Sequence, residues 1–239
     1  MRSLLSWIGH PRPPSPSYRA PISSSTGSES SMPSPRLSES MMSRFLIDNL
    51  VESYFTVFHV TYPLIHEATF KAQYRGTRSR PRQRSWDTLF YAVLGLGAWC
   101  LGNEDNAFDE HLYRRALFLG DDEPVFDTAN LSTVQALLLL SNLNQKLNRP
   151  NTGWNCLGLA KRMALSLGLH RELPEWNITP FQREMRRRIW WCLYMFDSGA
   201  STTFGRAILL PGRDVMDVSY VSNVGDVVGK CCGRLWSLG

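Results

Sequence analysis

The chain is poor in the residues and runs that would commit it to several common classes. It holds five cysteines in 239 residues, Cys100, Cys156, Cys192, Cys231 and Cys232. No C-x-x-C pair occurs, and none has metal spacing with a histidine, so no zinc site can be read from them. An odd count with no framework fits a reducing compartment rather than a disulfide scaffold. Long apolar runs are also missing. The longest uncharged apolar stretch, Thr88 to Asn103, is 16 residues, short of the roughly 20 that a spanning helix needs. The apolar run near Met1 is too short for a signal peptide. These absences lead us to expect a soluble intracellular protein with no membrane partner.

Catalytic signatures are equally scarce. There is no G-x-S-x-G, no Walker-type glycine loop, no dinucleotide fingerprint after a strand and no H-E-x-x-H. The five histidines do not cluster, and the carboxylates fall singly or in loop runs such as Asp121-Asp122-Glu123. Nothing positive supports an enzyme, and no cofactor site is expected in this chain.

What is present is an apolar and aromatic content, 43% and 11%, large enough for a sizeable core. Net charge is +5, and Arg75, Arg78, Arg80, Arg82 and Arg84 supply that excess from a stretch with no acid. The remaining 21 basic residues balance the 21 acidic ones. The body is thus near neutral with one basic loop, unlike the broad basic face of a dedicated nucleic-acid binder. Five like charges around Pro81 read either as a solvated, disordered loop or as a nuclear-localisation address.

Residues 1–40 carry 13 serines and seven of the 14 prolines. Such a segment buries too little apolar surface to offset its ordering entropy. It is expected to be a disordered linker, with Ser-Pro sites such as Ser34-Pro35 open to phosphorylation. From residue 41 the pattern turns helical. Helices are predicted at Met41–His59, Glu67–Tyr74, Asp87–Leu101, Ala107–Leu119, Ser132–Leu147, Thr152–Leu167 and Thr179–Ser201. Ser132-x-x-Gln135 and Thr179-Pro180-x-Gln182 both fit capping boxes, and Gly168 suits a helix C-terminus. No hairpin of strands and no regular repeat is evident. The expectation is an all-α, antiparallel multi-helix bundle of non-repeat type.

The richest stretch is Gln182–Asp197, followed by Gly205-Arg206. It sets Arg186, Arg187 and Arg188 directly before Ile189, Trp190 and Trp191. Successive helical residues point about 100° apart, so three consecutive arginines splay around the helix rather than forming one phosphate-binding face. Their stems can pack at the core boundary while their heads pair with acids. Burying both tryptophans requires cover on more than one side, which predicts a central helix. A tryptophan-lined pocket for a small inducer is the functional alternative. An Asp197–Arg206 ion pair pinning the Gly205 turn is expected.

These residues resemble the fungal-specific transcription factor domain, the middle homology region of zinc-cluster regulators. The resemblance rests on Tyr54-Phe55-x-x-Phe58-His59 with Tyr62-Pro63-Leu64-Ile65-His66 and Phe70, on Ala160 to Arg171, and on Glu184 through Asp197 with Gly205-Arg206. It covers roughly 42–226, framed by the 1–40 linker and an atypical 227–239 tail. The run Leu209–Asp217 resembles the xylanolytic activator subgroup, which controls genes of plant-polysaccharide degradation. The resemblance implies nuclear regulation of transcription by RNA polymerase II. It also implies DNA binding through a zinc cluster, and partners among other regulators, a second copy of the chain or an inducer. No cysteine precedes Cys100, so that cluster is absent here. The tail departs from the family, and a truncated or mis-spliced product with exposed apolar surface is expected.

Overall fold

A computed structural model describes residues 44–81, 83–102, 111–112, 114–116, 129–172, 174–212 and 214–222. The 1–40 linker and the 227–239 tail lie outside the described residues. So does most of the expected Ala107–Leu119 helix, although 111–112 and 114–116 are helical and bury Leu112 and Ala116. The elements are α1 (Arg44–Ser53), a π-helical segment (Tyr54–Phe58), α2 (His59–Thr61), α3 (Glu67–Tyr74), α4 (Gln83–Cys100), α5 (Leu131–Lys146), α6 (Pro150–Ser166) and α7 (Pro180–Phe204). Among the described residues there is no strand, and no helix is long and apolar enough to cross a membrane. The fold is all-α.

The expected first helix is one continuous helical run from Arg44 to Thr61 with a wide turn inside it. The His59 N–H donates to the Tyr54 carbonyl, the five-residue step of a π-helix. Tyr54, Phe55, Phe58 and His59 are all buried there, in an aromatic cluster that reaches Phe70 and Trp86. The turn at Tyr62-Pro63 sends Leu64 and Ile65 into the core.

Helix α4 begins four residues before the expected Asp87. Its glycines serve packing: a Cβ on Gly97 would lie 2.1 Å from the Leu50 carbonyl oxygen, and one on Gly95 would lie 2.8 Å from Leu143 Cδ2. Helix α1 therefore approaches α4 more closely than a larger residue at Gly97 allows, whereas at Gly95 the Leu143 side chain would have to shift.

Two expectations are corrected in α5. Its cap is Asn130, whose side chain accepts the Thr133 N–H at 2.9 Å, not Ser132. Gln135 is not part of a capping box; its buried amide donates to the Leu64 carbonyl at 2.6 Å and ties α5 to the Pro63 turn. The central position also belongs to α5 rather than to the Arg-Trp helix. Val134, Ala136 and Leu137–Leu140 are all buried, because an apolar run with no polar side must be covered all round. Leu147–Arg149, with Asn148 at φ 57°, turns the chain into α6. Pro150 starts that helix at its first position instead of only stopping the one before.

Helix α7 starts as its sequence dictates. Thr179 accepts the Gln182 N–H at 3.2 Å and Gln182 accepts the Thr179 N–H at 3.0 Å. The helix runs three residues past Ser201, to Phe204, and ends at Gly205 in the left-handed region (φ 62°).

Candidate functional site

The arginine run lies on α7 among partners drawn from the turn between α6 and α7. Arg186 donates to the carbonyls of Leu167 (2.7 Å) and Gly168 (3.1 Å), at the C-terminal end of α6. Its guanidinium lies 4.8 Å from the Trp176 ring centroid. Arg187 holds Glu172 through both carboxylate oxygens, with Nε at 3.1 and 3.2 Å and Nη2 closer still. Arg188 and Glu184, four residues apart and both buried, pair at 3.1 Å. Arg183 adds bonds to the carbonyls of Glu172 (3.0 Å) and Trp176 (3.3 Å). Burial alone would raise the Glu172 pKa, but the hydrogen bonds from Arg187 and the Ser219 backbone outweigh it and hold the carboxyl below its usual range. The same pairing raises Arg187, whereas burial and the charge of Arg183 lower Arg186.

The tryptophans part company. Trp190 is fully buried in the core, its ring 5.9 Å from that of His170. Trp191 is half-buried and packs at the edge of the core. Residues 217–222, outside any helix or strand, lie against it: the Trp191 indole donates to the Ser219 carbonyl at 2.9 Å, and Tyr220 stacks on the ring at 5.0 Å.

Asp197 does not pair with Arg206. Its carboxylate is completely buried and takes Lys161 Nζ from α6 at 2.5 Å. Its second oxygen accepts the N–H groups of Leu209 and Leu210, each at 3.1 Å. Arg206 instead donates to Asn151 Oδ1 at 2.6 Å and lies, like Lys161, against the Trp154 ring. Asp197 fixes the chain beyond Gly205 through those two backbone amides, and Arg206 fixes the same turn to the start of α6. Lys161 was missed because nothing local marks it: it stands 36 residues before its partner.

The basic stretch is folded over residues 75–81. Arg75 follows α3, Arg78 reaches Thr69 Oγ1 at 3.4 Å, and Arg80 donates to the carbonyls of Gln73 and Tyr74 at 3.0 and 3.3 Å. Arg80 also lies 5.7 Å from the Trp86 ring centroid, so it closes the C-terminus of α3. Arg84 is half-buried in α4, and Arg82 lies outside the described residues. Over residues 75–81 the expected solvated, disordered loop is instead a turn in which Arg75, Arg78 and Arg80 are exposed but Arg80 is tied down.

A cavity of about 300 Å³ between α1 and α3 is lined by Arg44, Asp48, Val51, Glu52, Lys71, Tyr74 and Arg75. Its lining is charged and contains no tryptophan, unlike the pocket that the sequence invites. Among the described residues no group of three or more histidine, cysteine or carboxylate side chains could hold a metal. With five cysteines in all, the chain does not fit a six-cysteine zinc cluster.

Comparison with known proteins places this geometry. The model of the fungal specific transcription factor domain matches residues 51–226. The lactose regulatory protein LAC9 of Kluyveromyces lactis is 36% identical over 176 residues, covering 73% of this chain and 20% of that protein. The acetamidase regulatory protein of Emericella nidulans is 31% identical over 182 residues (73% and 22%). A Zn(2)-C6 fungal-type transcription factor, pigI of Monascus ruber, is 30% identical over 176 residues (69% and 22%). The chain thus spans about a fifth of the length of these relatives. No solved structure matches. The helix that carries Glu184, the arginine run, both tryptophans and Asp197 lies inside the matched residues, and the chain belongs to the fungal specific transcription factor domain family.

Proposed function

We propose that this chain is the regulatory middle domain of a nuclear fungal transcription regulator and works through protein contacts rather than through DNA or catalysis. The observation that carries this reading is the fate of Arg186–Arg188. Each guanidinium is engaged with a carbonyl or carboxylate of the same chain, so the run offers no phosphate-binding face. Sequence-specific DNA contact then falls to a zinc cluster that these 239 residues do not hold. Its partners are other transcription regulators or a second copy of the chain. The kinship with a lactose regulatory protein and the xylanolytic-like run at Leu209–Asp217 favour genes of carbohydrate use as targets.

Fluorescence anisotropy with duplex DNA at rising salt tests the DNA arm. Only weak binding that vanishes at moderate salt is expected; a sequence-specific footprint that survives would sink the reading. Tethering the chain to an unrelated DNA-binding module tests the rest. A change in reporter transcription is expected, and an unchanged reporter with the fusion expressed would count against a regulatory role. The arginines of 75–84 supply a nuclear-import address in this scheme. Replacing Arg75, Arg78 and Arg82 by alanine, with the structural Arg80 left in place, is expected to move a fluorescent fusion from nucleus to cytoplasm.

A further inference from the structure

Residues 217–222 follow the last buried anchor of the described chain, Met216, and run outside any helix or strand past residues 170–172 and along α7. Most of what holds them addresses backbone. The Asp217 N–H donates to the His170 carbonyl at 3.2 Å. The Ser219 N–H donates to Glu172 Oε2 at 2.9 Å, and the Ser219 carbonyl accepts from the Trp191 indole at 2.9 Å. The Ser222 N–H donates to both oxygens of Glu184, at 3.1 and 3.2 Å. Side chains of the segment add contacts of their own. Asp217 accepts the Glu172 N–H and pairs with exposed Arg171, Val218 is half-buried, and Tyr220 stacks on Trp191 while remaining 61% exposed.

The receiving groups have the opposite character. Glu172 and Glu184 are fixed by Arg187 and Arg188, and Trp191 projects from a helix whose adjoining residues, Trp190 and Cys192, are in the core. A surface with paired carboxylate acceptors and one indole donor therefore faces a segment that contributes little burial of its own. This is the division of labour of sites that bind a peptide in extended form: main-chain bonds supply the affinity, and shallow contacts for alternate side chains supply the selection. A segment with few buried apolar contacts also opens at a lower free energy than the core.

We propose that the face formed by Glu172, Glu184 and Trp191 is a seat for extended peptide, occupied in cis by 217–222 as a releasable strap. The occupant it fits is a segment with the pattern of Val218-Ser219-Tyr220: an apolar residue, a small residue whose N–H and C=O both face the seat, then an aromatic one. The seat rests on observed geometry and stands whether or not the chain regulates transcription.

The test uses the full chain and a capped, fluorescently labelled peptide of residues 216–222. Ser219→Pro removes the N–H that Glu172 accepts and loosens the resident strap. Labelled peptide is expected to bind this variant at least ten-fold more tightly than the unaltered chain, with helical circular dichroism retained. A control peptide carrying proline at the Ser219 position is expected not to bind. In the unaltered chain, the amides of Ser219 and Ser222 are expected to exchange hydrogen at least ten-fold faster than those of Leu137–Leu140. If those two amides exchange only at the rate of the α5 core, the strap is an integral part of the fold and the proposal fails. It also fails if Ser219→Pro does not fold, or if it folds and binds the peptide no better than the unaltered chain.

Discussion

The molecule has two arginine-rich stretches, and they end in different places. Arg186–Arg188 sits mid-domain on a helix whose other face is core, and every guanidinium in it is consumed by neighbours within the fold. The stretch from Arg75 to Arg84 has no acid in its own sequence; over 75–81 it stays at the surface, with Arg80 alone drawn in to close α3. Composition barely separates the two. What separates them is distance from the core boundary, where a long side chain can bury its stem and meet carboxylates and helix-end carbonyls.

The sharpest way to break this contrast is to remove one partner of a buried pair on α7. Asp197→Ala would leave Lys161 buried without its counter-charge and free the amides of Leu209 and Leu210. A loss of about 3–5 kcal/mol is expected, read by chemical denaturation. A loss below about 1 kcal/mol would show that the pair is not structural. Gly97→Ala should rank close behind, since its Cβ would collide with the Leu50 carbonyl; thermal melting would reveal it.

Arg187→Ala is expected to cost less, about 1–3 kcal/mol, because Glu172 keeps some solvent and the Ser219 N–H. It also carries a pH signature. The folded pKa of Glu172 lies below its unfolded value, so the stability it contributes is present above about pH 4.5 and is lost as pH falls through the folded value. Denaturation midpoints measured between about pH 3 and 6 should therefore fall less steeply with acid in Arg187→Ala than in the unaltered chain. Equal slopes would remove Arg187 as the cause of the depressed pKa.

At the small end, Arg80→Ala should cost about 1 kcal/mol through the lost helix-end bonds and the contact with Trp86. Arg78→Ala should change stability by less than about 0.5 kcal/mol, since it holds only a long contact to Thr69. A reversed order would erase the distinction drawn within the basic stretch.

The local features of α7 were legible beforehand because each partner lies within one turn. Thr179, Pro180 and Gln182 need nothing beyond the chain itself to start a helix, and the buried face of Met185, Ile189, Leu193 and Phe196 follows from helical period. The same local rule misled at Ser132-x-x-Gln135. Asn130 was an equally good cap two residues earlier, and the Leu64 carbonyl, 71 residues upstream of Gln135, claimed the glutamine. The π turn at Tyr54–Phe58 was not legible either, since an aromatic stripe at three- and four-residue spacing is equally compatible with an unbroken α-helix.

By itself, then, the chain determined an all-α fold, the ends of its best-capped helix, the need to cover two adjacent tryptophans and the balance of charge outside one basic stretch. These depend on backbone propensity, period and caps, which act over a few residues. Tertiary structure alone decided that Lys161 rather than Arg206 faces Asp197, that α5 rather than α7 takes the centre, and that chain outside any helix lies over Trp191. Those outcomes depend on which distant groups packing brings within about 3 Å of each other, and hydrogen bonds and ion pairs are decided at that range.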